Sequence, residues 1–128
     1  MKNASDYVAH IKALIILSAA VSSWTIVREE IQGDIGLLRY RLVLRDGSLL
    51  EMFERFEVTV GKHRVTKYSF HWQDAEGRLH KRWDNAAHYS QVSTHPHHVH
   101  DGAETKVLPH DPLDARAVLE IIERAIVD

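Results

Sequence analysis

The stretch THPHHVH, residues 94–100, places four histidines, His95, His97, His98 and His100, within six positions. It is internal and contains a proline, so it reads as native sequence and not as a purification tag. Histidine titrates near neutral pH and also ligates metals, so the cluster fits two chemistries. In the first, imidazoles two residues apart on an extended segment share a face and hold one ion. Asp84 or Asp101 would add an oxygen ligand. In the second, two histidines divide the roles of proton acceptor and proton donor. Cleavage of RNA by its own 2′-hydroxyl needs such a pair and a cation for the phosphate. Arg82, Arg39 and Arg41 are available cations. The plain alternative is a solvated polar loop, and no H-E-x-x-H helix strengthens the metal reading.

The histidines are unevenly spread. Eight of the ten lie between His71 and His110, along with Trp72 and Trp83, which loop composition alone does not produce. Trp72, Trp83 and Tyr68 could stack on bases, or they pack beneath a helix. The arginine stripe is either a phosphate-facing surface or a solvated sheet face. Glu54 shares its alternation parity with Leu50, Met52, Phe56 and Val58. A carboxylate on an apolar face must find a partner, take a proton or line a cleft. Asp84 and Asn85 directly follow an expected strand, where side-chain-stabilised turns are common.

These residues need a scaffold, and the chain supplies one domain's worth. A length of 128 residues suits one compact domain, 1–128, and the 45% hydrophobic content is enough for a core. A net charge of −2 argues against a general nucleic-acid coat but leaves room for a local basic groove. Without cysteine there is neither disulfide nor thiolate zinc site. ALIILSAAVSS, residues 13–23, resembles a signal-peptide core, but Asp6 and Lys12 break that layout and the run is too short to span a bilayer. Tyr7, Ile11, Leu14, Ile15 and Ser18 fall at helical spacing, so residues 5–18 are expected to form a buried first helix.

Alternating patterns then predict strands at 22–31, 37–45, 48–58, 65–74 and 78–83. Asp46–Gly47 predicts a tight primed hairpin turn, and turns follow at Gly61–Lys62 and Glu76–Gly77. Residues 84–102 are expected to be a long histidine-rich loop, with a short edge strand at 104–108. Asp111 is the expected helix cap, with Pro112 in the first turn and Asp114 near the positive end of the helix dipole. Val118, Ile121, Ile122 and Ala125 form the stripe that the last helix should bury. The expected fold is α+β: a twisted antiparallel meander of about five to six strands flanked by an N-terminal and a C-terminal helix.

Three blocks in order, YSFHWQDAEGRL, RWDNAAHY and PHHVH, resemble the TumE family, proposed as toxins of bacterial and archaeal toxin–antitoxin pairs. The resemblance is best over residues 34–101, including DGSLLE and Glu54, and looser at both helices. It carries over Tyr68, His71, Trp72 and Gln73, then Arg82, Trp83, Asp84 and Asn85, then Pro96, His97, His98 and His100. Ala87 and Tyr89 stand where the pattern has proline and a second histidine, and His95 stands where it has an aromatic residue. That departure removes support from a His95/His97 metal clamp.

The resemblance implies a small cytoplasmic protein encoded beside an antitoxin, often a helix-turn-helix DNA-binding protein. Combined with the histidines, it leads to an expected metal-independent ribonuclease. His71, His98 and His100 would move protons, Arg82 would hold phosphate and Asp84 would orient a histidine. Arg39, Arg41, Tyr68, Trp72, Gln73, Trp83, Asn85 and His97 would contact substrate, and Glu54 is a buried or cleft carboxylate. No cofactor is expected, although metal through His98 and His100 stays open. So do a non-catalytic binding module and a metal-dependent hydrolase. RNA and the antitoxin are the expected partners, a homodimer is an open alternative, and no membrane is involved.

Overall fold

The computed structural model describes residues 1–126. Helix α1 (Ala4–Leu17) leads into seven strands. They are β1 (Val21–Gln32), β2 (Ile35–Leu44), β3 (Leu49–Thr59), β4 (Lys62–Gln73), β5 (Leu79–Asp84), β6 (His98–Asp101) and β7 (Val107–Pro109). Helix α2 (Ala115–Ile126) follows. The strands lie side by side in chain order, each antiparallel to the next, so the fold is the expected α+β meander. Its seven strands slightly exceed the expected five to six because His98–Asp101, assigned from sequence to the loop, pairs with Lys81–Asp84. Among the described residues no helix is long and apolar enough to cross a membrane.

Alternation along the strands creates two unlike faces. Tyr40, Leu42, Leu50, Met52, Phe70, Trp83 and Val99 share one face and form a core with Tyr7, Ile11 and Ile15 of α1 and Val118, Leu119 and Ile122 of α2. Packing both helices on one side of a sheet removes the stripe of α2 and the buried face of α1 from water, and leaves the other side to polar residues. Of the stripe expected on α2, Ala125 is exposed, and Leu119 is buried in its place.

Two local details differ from expectation. The Asp46–Gly47 hairpin is not a primed turn, because positive φ occurs at Gly47 and, among the described residues, at no non-glycine one. Gly47 N–H bonds to Leu44 C=O and Leu44 N–H to Ser48 C=O, the pattern of a type I turn closed by a glycine bulge. Helix α2 is capped by Asp114, not Asp111. The Asp114 Oδ1 accepts the Ala117 N–H at 2.9 Å, and Glu54 accepts the Ala115 N–H at 2.5 Å. With that amide taken by the sheet, the helix starts at Ala115.

Candidate functional site

Cross-strand register organises the face opposite the helices into two adjacent rows. One row runs Arg39, Phe53, Ser69, Asp84, His98 across β2 to β6. The next runs Arg41, Glu51, His71, Arg82, His100. Short strands β5 and β6 thus bring Asp84, Arg82, His98 and His100 together, although they come from segments on either side of a 13-residue connection.

The two histidines are held in the same way. His98 Nδ1 lies 2.9 Å from the Pro96 carbonyl oxygen and His100 Nδ1 lies 2.8 Å from that of Glu104. A carbonyl only accepts, so both Nδ1 atoms carry hydrogen and each neutral ring presents its Nε2 lone pair. Both lone pairs face one carboxylate. Nε2 of His98 is 3.0 Å from Asp84 Oδ1, and Nε2 of His100 is 3.6 Å from Asp84 Oδ2. The first contact brings a lone pair to a carboxylate oxygen, two acceptors with no hydrogen between them, so His98 Nε2 is buried without a hydrogen-bond partner. Arg82 completes the group. Its Nε donates to Asp84 Oδ2 at 3.3 Å, and its Nη2 donates to His100 Nε2 at 3.2 Å. On its outer side the guanidinium meets the exposed Glu104 carboxylate at 2.7 Å.

Tyr89 lies over both imidazoles, with ring centroids 4.7 Å from His98 and 5.4 Å from His100. The histidine side chains are 0% and 1% exposed, Arg82 28%. Arg82 is therefore the member of the group that solvent reaches most easily. Tyr89 and Glu104 were not singled out from the sequence as site residues. Glu104 follows His100 by four positions across a turn, a spacing that brings the ends of a hairpin together.

The other proposed residues are placed as follows. His71 is half-buried beside Arg82 in its row and, with Gln73, Arg41, Leu49 and Glu51, lines a small hollow of about 50 Å³. Arg39 and Arg41 both pair with Glu51, at 3.1 and 3.7 Å, and Arg39 lies over Phe53. Two strands separate them from the Asp84 group. Trp83, Trp72 and Tyr68 are buried on the helix side, which is the packing alternative. The Trp72 indole N–H donates to Ser48 Oγ at 3.0 Å. Burial pushes the Tyr68 phenol up to about 12, and its hydroxyl lies 2.9 Å from His97 Nδ1. His97 is held below its usual pKa by burial and by neighbouring His98 and His95. Exposed His95 contacts the Tyr89 carbonyl, and Asp101 faces Lys81 and Lys106. Asn85 continues the β4 ladder with its side chain, accepting the Tyr68 N–H and donating to the Thr66 carbonyl. Glu54 lies on the helix side, bound by the Tyr7 hydroxyl and α2. A hollow of about 840 Å³ lies away from β5 and β6, between Glu29–Gln32, Ile35–Leu37 and Arg55–Glu57.

The fold and the cluster define a small α+β protein with a buried histidine–carboxylate–arginine group on an open antiparallel sheet. The family model described as Toxin TumE matches residues 11–128, and the chain belongs to that family. It is therefore a toxin-like protein of a toxin–antitoxin system, with an antitoxin as its general partner. No curated protein and no solved structure matches it.

Proposed function

We propose that this toxin cleaves RNA by transesterification on the row His71, Arg82, His100, without a metal ion in the chemical step. The supporting observation is the register, which puts Arg82 directly between the two histidines on neighbouring strands. Strands about 4.8 Å apart leave a span of roughly 10 Å between the histidine backbones, with a cation midway. In-line displacement at phosphorus asks for that order: a base on one side, an acid on the other and positive charge between them.

The base is His100, whose Nδ1–H on the Glu104 carbonyl makes Nε2 the proton acceptor once Arg82 Nη2, which now bonds to it, turns to the phosphate. It takes the proton of the 2′-hydroxyl as O2′ bonds to phosphorus. The P–O5′ bond breaks, and His71 gives its proton to O5′. The products are a 2′,3′-cyclic phosphate and a 5′-hydroxyl. Arg82 exchanges exposed Glu104 for the phosphate while Asp84 keeps its Nε in place. Substrate must displace Tyr89 to reach His100.

The natural partner is a cognate antitoxin, proposed to be a helix-turn-helix protein met in the cytoplasm. It would cover this row or pair with the free edge of β1, a 12-residue strand at the sheet margin. The test is cleavage of cellular RNA by purified protein in excess chelator, with the new ends identified. His100→Ala and His71→Ala are each expected to slow cleavage by about 100-fold or more. Undiminished cleavage by the double variant would sink the reading. Growth arrest with intact RNA would favour a non-catalytic binding module instead.

A further inference from the structure

We propose that Asp84, His98 and His100 form a binding site for one divalent transition-metal ion of the zinc class. One donor atom from each residue lies within 4.8 Å of the others. A tetrahedral zinc ion with bonds near 2.0–2.1 Å separates its nitrogen and oxygen ligands by about 3.3 Å. The closest nitrogen–oxygen distances here are 3.0 Å from His98 to Asp84 Oδ1 and 3.6 Å from His100 to Asp84 Oδ2. The three side chains close from within 4.8 Å onto the ion.

Two further observations point to a ligand. Each imidazole gives its Nδ1–H to a backbone carbonyl, Pro96 or Glu104. This fixes the tautomer whose other nitrogen coordinates metal, as outer partners do around metal-bound histidines. The second is the orphan. His98 Nε2 is fully buried, aimed into the group and without a hydrogen-bond partner. Native structures seldom leave such an atom unmatched. Arg82 matches His100 and Asp84 but not His98, so the protein's own cation satisfies only part of the donor set.

Arg82 is thus a competitor for the site. It supplies positive charge to Asp84 and takes the His100 lone pair. Its Glu104 contact at 2.7 Å offers a position outside the group to which it retreats when an ion enters.

The test uses protein purified without a nickel column, stripped with chelator and titrated with zinc by calorimetry and with cobalt(II) by visible absorption. One ion per chain is expected. His98→Ala and the near-isosteric Asp84→Asn should each weaken binding more than about tenfold. Arg82→Ala should strengthen it. In the parent chain, zinc should shift the Nε2 resonances of His98 and His100 and leave Nδ1 protonated, a readout that needs no variant to fold. No binding by folded parent protein overturns the site, and so does binding that His98→Ala and Asp84→Asn leave unchanged. Zinc would also take the base of the proposed cleavage, a consequence that rests on the proposed function. Binding at these residues with undiminished RNA cleavage would refute the His100 base and leave the metal site standing.

Discussion

Glu54 on β3 and Asp84 on β5 are buried carboxylates of one sheet, facing opposite sides. Glu54 is enclosed by groups that match it. The Tyr7 hydroxyl donates to one oxygen at 2.5 Å and the Ala115 N–H to the other at 2.5 Å, tying α1, the sheet and the start of α2 together. Asp84 accepts the Ala86 N–H at 3.0 Å and Arg82 Nε at 3.3 Å, but it also faces two imidazole nitrogens that present lone pairs, and the one on His98 has no partner. A buried polar group whose partners are complete holds a fold together. A group that leaves a buried neighbour such as His98 Nε2 without a partner costs stability that packing alone would have kept.

Replacement of either carboxylate should separate the two roles. Glu54→Ala leaves a phenol and a helix-terminal amide buried without an acceptor, and is expected to cost about 3 kcal/mol or more in urea unfolding. Asp84→Asn should cost less, about 1 kcal/mol, because an amide N–H at the Oδ1 position can donate to the orphan His98 Nε2 while the amide oxygen still accepts from Arg82, and only the Ala86 N–H, now bonded to Oδ1, loses its acceptor. A loss in Asp84→Asn as large as that in Glu54→Ala would erase the distinction between the two carboxylates.

The next effect is on pH dependence. Burial pushes Glu54 up to about 7, against hydrogen bonds from Tyr7 and Ala115 that pull it down. A carboxyl group that keeps its proton longer in the folded state contributes stability fully below the unfolded pKa. That stability is lost as pH rises toward the folded value. The window is therefore between about 4.5 and about 7, and the expected fall is on the order of 3 kcal/mol. Glu54→Gln should flatten that fall. The comparison is made as parent minus variant, because Asp46 and Asp74, both held below the usual range, act in the opposite sense at lower pH. An unchanged slope in Glu54→Gln would refute Glu54 as the titrating group.

A smaller effect concerns the lid of the second group. Tyr89→Ala should leave global stability nearly unchanged while raising the reactivity of His98 and His100 toward an imidazole-acylating reagent, followed by mass spectrometry. Equal protection in parent and variant would mean that Tyr89 is not what shields them.

The contrast was partly legible in the residues. Parity placed Glu54 on an apolar face and required a partner for it, because a two-residue period assigns faces without tertiary knowledge. The partners themselves, Tyr7 and Ala115, lie 47 and 61 positions away, and no local pattern encodes such a meeting. For the second group, the separation of His98 and His100 from His95 was legible, whereas the strand that carries them was not. HVHD is four residues long, too short to show alternation against the surrounding polar loop. The roof is not legible either, since in the sequence Tyr89 stands out only as a departure from the family pattern. Tryptophans near histidines suggested stacking, but Trp83 belongs to the row of Phe70 and Val99 on the helix side. Register decides that point, and register is a property of the folded sheet.

The smallest test lies beside Glu54. Asp114 caps α2 through Ala117, and its charge also raises Glu54. Asparagine caps a helix as well as aspartate does, so Asp114→Asn keeps the hydrogen bond and removes the charge. Stability near pH 5 should change by less than about 1 kcal/mol. The Glu54 midpoint, followed by carboxyl NMR, should move downward because a repelling neighbour is gone. Phe56 packs on Tyr7 with ring centroids 4.4 Å apart, so its ring reports whether the pocket keeps its shape. A lower midpoint with an unshifted Phe56 ring would show that Glu54 is tuned by charge within a fixed, fully matched pocket. A midpoint that stays put would leave burial alone as the cause, and the helix-side group would then be less finely built than its geometry indicates.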